Sequence, residues 1–192
     1  MNICIYGASS ELIDAKYMGE TEKLGRVLAE NGYGLVFGGG AQGLMGAAAR
    51  GFKSMNGEII GIAPTFFMNV DGILYDQCTQ FIYTETMRER KQLMEEHADA
   101  FLVTPGGIGT FEEFFEILTL KQLGRHTKPI IIYNILGYFD SMKAMMENAI
   151  EQQFMKDTCR ELYVFVDTPE AVITYLNTYE APGDETKYYK NI

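Results

Sequence analysis

The sequence predicts an α/β fold: a mostly parallel, doubly wound sheet of about seven strands with helices on both faces. Three observations carry this reading. Short β-rich apolar runs alternate with longer amphipathic stretches along the 192 residues, the pattern of repeated βαβ crossovers. The runs are apolar throughout, as in strands covered on both faces, and do not alternate as half-exposed strands do. Glycine-rich turns follow several of them, where a parallel sheet presents the carboxyl ends of its strands.

Taken in order, the first strand is Ile3–Tyr6, ending in the turn Gly7-Ala8-Ser9-Ser10. A helical pattern near 14–30 leads to a second strand, Leu35–Phe37, and to the turn Gly38-Gly39-Gly40-Ala41-Gln42-Gly43. The helix over 43–55 begins with the small residues Gly46, Ala47, Ala48 and Ala49, suited to close packing. The strand Ile59–Ala63 follows, then a stretch with little periodicity, Pro64 to Gln80, read as a long packed loop beside the site or, from its mixture of Phe66, Phe67, Met68 and Asp71, part of a lid. Phe81–Tyr83 is the fourth strand and 86–98 the next helix. Phe101–Val103 leads through Pro105–Thr110 into a helix over 111–123, with Phe114, Phe115, Ile117, Leu118 and Leu123 on one side. Ile130–Tyr133, a helix over 138–152, Tyr163–Val166 and a helix over 169–178 complete one domain over 1–179, leaving 180–192 as a polar tail. The three turns are expected to meet in one crevice at the strand ends.

Composition limits the function classes. A hydrophobic content of 47% suits one sizeable core, and a net charge of -10 argues against a nucleic-acid polymer as partner. No apolar run approaches the ~18 residues of a membrane span. Cys4, Cys78 and Cys159 lie far apart, which suggests neither a disulfide framework nor a thiolate metal site. His97 and His126 are isolated and lack metal-ligand spacing. Met1 to Gly7 runs directly into a strand without a basic leader, so a cytoplasmic protein is expected.

The chemistry concentrates in three segments. The first is Pro105-Gly106-Gly107-Ile108-Gly109-Thr110-Phe111-Glu112-Glu113. A glycine turn between strand and helix leaves N–H groups free at the positive end of the helix dipole, a ready phosphate site. Glu112 and Glu113 are read as lying in the first helical turn beside it. A carboxylate so placed should stay ionised, fit to act as a base or to stabilise an oxocarbenium ion. The second segment is Met87-Arg88-Glu89-Arg90-Lys91-Gln92-Leu93-Met94, where Met87, Arg90, Lys91 and Met94 share one helical face and Arg88, Glu89, Gln92, Glu95 and Glu96 fall on the other, outer one. Methionines on that face turn two cations inward, where they meet either a ligand or Glu112 and Glu113 as ion pairs. The third is Gly38-x-Gly40-x-x-Gly43, which matches a dinucleotide fingerprint. It follows the second strand, not the first, and Glu58 is misplaced for a ribose contact, so NAD is not expected. The turn either approaches a phosphate or ribose or simply permits tight packing.

Together these segments resemble the Lonely Guy (LOG) family, the cytokinin riboside 5'-monophosphate phosphoribohydrolases, often mislabelled lysine decarboxylases. The resemblance is carried by Gly38 to Gly46, by Met87-x-x-Arg90-Lys91-x-x-Met94 and by Pro105-Gly106-Gly107-x-Gly109-Thr110-x-x-Glu113, with Gln122-Leu123-Gly124, Lys128-Pro129 and Asn134-x-x-Gly137-Tyr138 in support. It implies a Rossmann-like sheet in a homodimer with sites near the interface, no cofactor and no metal. The implied reaction is hydrolysis of the N-glycosidic bond of an adenosine-type nucleoside 5'-monophosphate to free base and ribose 5-phosphate. It places the catalytic arginine and glutamate at Arg90 and Glu113 and the phosphate turn at Gly106, Gly107, Ile108, Gly109 and Thr110. Lys91, Glu112, Met87, Gly39, Gly40, Thr119 and a serine of the first turn, Ser9 or else Ser10, are then the neighbouring substrate contacts. Arg88 and Leu120 depart from the family pattern, which bears on the choice of base. In the expected mechanism, the N–H groups of Gly107, Gly109 and Thr110 bind phosphate, with Arg90 or Lys91 completing the clamp. The alternative readings are a non-catalytic nucleotide sensor or carrier of the same fold, and a decarboxylase using pyridoxal phosphate on Lys91.

Overall fold

The structure is a computed structural model, and residues 1–181 are described. Almost all of the 180–192 tail lies outside the described residues. The strands are β1 (Asn2–Tyr6), β2 (Gly34–Phe37), β3 (Ile59–Pro64), β4 (Gln80–Thr84), β5 (Ala100–Val103), β6 (Ile130–Tyr133) and β7 (Val164–Val166). They form one sheet in the order β4-β3-β2-β1-β5-β6-β7. Every neighbouring pair is parallel, with Ile3 facing Leu35 on one side and Ala100 on the other. The helices are α1 (Ala15–Glu30), α2 (Gly43–Ser54), α3 (Met87–His97), α4 (Ile108–Gln122), α5 (Asp140–Glu151) and α6 (Pro169–Thr178).

Alternation along the strands divides the interior into two layers. Ile3 and Ile5 of β1 point to one face, where they meet Leu24 and Leu28 of α1, Phe52 of α2 and Val172 of α6. Cys4 and Tyr6 point to the other, against Met94 of α3, Phe114 and Ile117 of α4, and Met142 and Met146 of α5. The strands of the centre are buried on both sides, hence their unbroken apolar runs. β4 lies at an edge, which explains its half-exposed sequence.

The topology fixes where a ligand can go. From β1 the chain proceeds outward through β2, β3 and β4, then returns to the other side of β1 as β5. The turns after β1 and β5 therefore diverge from adjacent strands, opening a crevice at the switch point. The loop after β3 begins with a 3-10 turn at Thr65–Phe67 and then lies along the turn after β2. Ala41 N–H donates to the Ile73 carbonyl at 2.8 Å and Tyr75 N–H to the Gly39 carbonyl at 2.8 Å, so this segment is packed in place.

Candidate active site

Three helices, α2, α3 and α4, point their N-termini toward the crevice, but they are not equivalent. At α2 the N–H groups of Leu44 and Met45 both donate to the Ala8 carbonyl, at 2.8 and 3.3 Å. At α3 a capping box closes the end: Glu89 N–H donates to Thr86 Oγ1 at 3.2 Å, and Glu89 Oε2 accepts from the Thr86 N–H at 3.3 Å. At α4 the N-cap is Gly107, which has no side chain to offer. The N–H groups of Ile108, Gly109 and Thr110 begin that helix without an intrahelical acceptor, and Phe111 N–H is the first to find one, at the Gly107 carbonyl. Of the three ends, α4 is the one left to an anion.

The helix also starts earlier than its sequence suggests, at Ile108, because Gly109 adopts helical geometry within the glycine run. Glu112 and Glu113 thus stand in its second turn. The dipole argument for keeping Glu113 ionised does not reach them, since the effect fades within the first turn. Burial instead pushes the Glu113 carboxyl above the ordinary glutamate range, against the opposing pull of the Arg90 guanidinium.

Arg90 and Glu113 form the centre. Arg90 Nη1 donates to Glu113 Oε1 at 3.1 Å, with the two side chains 8% and 11% exposed. Arg90 Nε donates to the Ile62 carbonyl at 3.2 Å, at the end of β3. The guanidinium lies directly over Gly38: a Cβ there would meet Nη2 at 1.8 Å. Only glycine at the end of β2 permits this approach. A pair so enclosed must be held by several partners, because a buried charge without one costs several kcal/mol, on the order of 3–5.

Lys91, one residue on, has a different environment. Its ammonium is held between Glu112 and Glu116, the latter at 2.8 Å. Burial alone would lower its pKa, but the hydrogen bonds it donates to Glu112 and Glu116 outweigh that, and the net shift is upward. Both ion pairs weighed at the sequence level are therefore present. Met94 faces the core as expected, whereas Met87 is exposed at the cleft, because the first turn of α3 projects beyond the sheet.

The cleft has a volume of about 710 Å³. The turns after β1, β2 and β5 all contribute to its wall. Of the residues expected there, Ser9, Gly40, Met87, Arg90 and Lys91 line it, as do Gly107 to Thr110, Glu112 and Glu113. Gly39, Gly106 and Thr119 do not. Gly39 turns behind the wall toward the Phe81 ring. Gly106 lies under the turn, close against the Thr110 side chain, with its carbonyl taken by Tyr138 Oη at 2.5 Å. Thr119 is exposed on the outer face of α4.

Other lining residues escaped the sequence reading. Arg88 was placed on the outer face of α3, yet it reaches the cleft, since the mouth wraps around the end of the helix. Among the described residues it has no ion-pair partner. Gln42 lines the cleft from the N-cap position of α2 without making a cap bond. Phe67, Ile73 and Leu74 give the lining an apolar part, which meets the turn after β2 through the Ile73 carbonyl. The unpatterned stretch after β3 marked their segment, and Phe67 was among its residues suited to a lid, whereas Ile73 and Leu74 carried no signal of their own. His97 and His126 are engaged elsewhere, with the Leu93 carbonyl and with the Ile117 carbonyl.

No helix among the described residues is long and apolar enough to cross a membrane. The family described as "Possible lysine decarboxylase" matches residues 45–176. A cytokinin riboside 5'-monophosphate phosphoribohydrolase of Arabidopsis thaliana is 34% identical over 183 residues, covering 95% of this chain and 84% of that protein. An enzyme of the same name from Mycobacterium tuberculosis is 34% identical over 165 residues, covering 86% and 87%. The fold also matches a molybdenum cofactor binding protein from Rippkaea orientalis, with a TM-score of 0.71 at 20% identity over 92% of this chain and 95% of the other. The anion-ready turn, the buried arginine–glutamate pair and these sequence relationships agree: the chain belongs to the LOG family, the group that carries the old description of a possible lysine decarboxylase.

Proposed function

We propose that the protein is a phosphoribohydrolase, cleaving the N-glycosidic bond of an adenosine-type nucleoside 5'-monophosphate to give the free base and ribose 5-phosphate. The observation that carries this reading is the placement of the buried Arg90–Glu113 pair beside the open end of α4 in one cleft. In this reading the phosphate sits on the N–H groups at the start of α4, and its binding energy positions C1'. Departure of the base builds positive charge on the ribose. The Glu113 carboxylate is the nearby buried negative group, and it serves to stabilise that charge, hold a ribose hydroxyl or activate water. Arg90 fixes its orientation. Arg88 supplies a cation at the mouth that no described carboxylate neutralises, whereas Lys91 is already engaged by Glu112 and Glu116. That engagement also speaks against Lys91 as a Schiff-base lysine, which needs a lowered pKa to present a free amine. The base then lies toward Phe67, Ile73 and Leu74, and N6-substituted and plain adenine nucleotides are the substrates to compare.

A second copy of the chain is the partner in this proposal. Ile108, Phe115, Thr119 and Leu123 form one exposed stripe along α4, with Ile108 89% and Leu123 49% exposed. Thr119 then belongs to that interface instead of its own cleft. A cytoplasmic location accords with Cys4, Cys78 and Cys159, none of which forms a disulfide.

The test is to incubate the purified protein with AMP and with N6-isopentenyladenosine 5'-monophosphate and to follow ribose 5-phosphate. Glu113→Gln keeps an acceptor for Arg90 but removes the charge, and turnover should fall by ~10²-fold or more. Unaltered turnover in that variant refutes the role of Glu113. Tight nucleotide binding with no base release from the wild type supports a carrier instead.

A further inference from the structure

We propose that Tyr138 is a positioning residue for the anion-binding turn: its hydroxyl holds the Gly106 carbonyl out of the cleft, so that N–H groups alone face the phosphate. The proposal rests on reading the start of α4 as the phosphate site.

A turn of this kind carries as many carbonyls as N–H groups. A carbonyl dipole aimed at a bound anion repels it, so the site works only if each oxygen is directed elsewhere. The structure accounts for three successive ones. The Pro105 carbonyl accepts from the Ala8 N–H at 3.0 Å, across the switch point from the turn after β1. The Gly107 carbonyl accepts from Phe111 N–H at 3.0 Å, inside α4. Between them, the Gly106 carbonyl has no backbone donor within reach of the helix pattern. It takes the Tyr138 hydroxyl, at 2.5 Å, from the far side of the turn.

The corner after β6 delivers that hydroxyl. Asn134 ties the corner closed, its Nδ2 donating to Asp140 Oδ1 at 2.8 Å and its Oδ1 accepting from Phe139 N–H at 2.7 Å. Leu136 within it adopts a left-handed backbone with φ 53° and ψ 27°, a strained conformation for a residue with a side chain, and its side chain is 62% exposed. Gly137 follows at φ 73°. The strain is maintained although Leu136 buries little, which fits a corner shaped by what it must place. The Tyr138 ring is fixed edge-on by Tyr17 and Phe139, at centroid separations of 6.1 and 4.9 Å. Tyr138 itself does not line the cleft, so it acts through the turn and not on the substrate.

Tyr138→Phe removes one oxygen and keeps both ring contacts. With the full-length protein, KM for AMP and the inhibition constants of inorganic phosphate and ribose 5-phosphate should each rise about five- to tenfold, the worth of one hydrogen bond. The kcat at saturation and the inhibition constant of adenosine, which has no phosphate, should change by less than about twofold. A variant that binds inorganic phosphate as well as the wild type overturns the proposal. So does one that loses adenosine affinity or kcat in the same proportion, since a merely structural tyrosine would do that. If phosphate and ribose 5-phosphate do not compete with AMP in the wild type, the reading of the turn itself fails, a separate outcome.

Discussion

Gly38→Ala tests whether the arginine–glutamate pair depends on the turn beneath it. The added methyl carbon would stand 1.8 Å from Arg90 Nη2 and 2.9 Å from Cζ. Restoring ordinary contact at 3.4 Å requires the guanidinium to retreat by 3.4 − 1.8, about 1.6 Å. Arg90 is held at 3.1 Å to Glu113 and 3.2 Å to the Ile62 carbonyl, and a displacement of that size cannot preserve both. Hydrogen bonds to charged groups contribute about 1.5–3 kcal/mol. At about 1.36 kcal/mol per decade, loss of the Glu113 bond corresponds to roughly a ten- to 150-fold drop in kcat/KM. The assay is ribose 5-phosphate release from AMP, with a thermal melt of each variant to separate lost activity from lost folding. The decisive comparison adds Gly38→Ala to Arg90→Ala, where the clash no longer exists and little further loss should appear. An equal loss in both backgrounds, or full activity of Gly38→Ala alone, refutes the reasoning.

Two further predictions concern protons. Because burial raises the Glu113 carboxyl while Arg90 lowers it, the acidic limb of kcat/KM should lie above the ordinary glutamate range, and Arg90→Gln should move it to still higher pH in whatever activity remains. A limb that stays put or moves down contradicts the assignment. Lys121 is buried with its Nζ donating to the Leu162 carbonyl at 2.9 Å, and desolvation lowers its pKa to about 8. The unfolded chain then binds more protons at this group than the folded one between its two pKa values, so folding gains stability there as pH rises. Denaturant unfolding should show the wild type gaining on Lys121→Met from pH 8 to 10 by up to about 2 kcal/mol. A constant difference across that range speaks against the buried, lowered amine.

Much of this architecture was legible because the strands that build the centre are buried on both faces, and burial writes itself into sequence as unbroken β-branched runs. The three turns were legible because glycines mark them. What failed did so where geometry departs from regular elements. The start of α4 was read three residues late, since Gly107 and Gly109 look alike in sequence although one caps the helix and the other belongs to it. That shift moved Glu113 out of the dipole's range and changed the cause and direction of its pKa displacement. Arg88 was assigned by a face rule that holds in the middle of a helix, not at an end open to a cleft. Thr119 was carried over by resemblance alone, and the helix points it outward. The wall of Phe67, Ile73 and Leu74 has no periodic signature, because an irregular loop is positioned by hydrogen bonds to another turn.

Cys4 occupies the central strand, with no accessible surface and paired strands on either side. Its sulfur is thus reached by a thiol reagent only when the middle of the sheet separates, whereas partly covered Cys78 reports on the edge beside β4. The native chain therefore contains its own clock for global opening, readable without any introduced label as the slow modification of Cys4, told apart from that of equally buried Cys159 by mapping the labelled peptides.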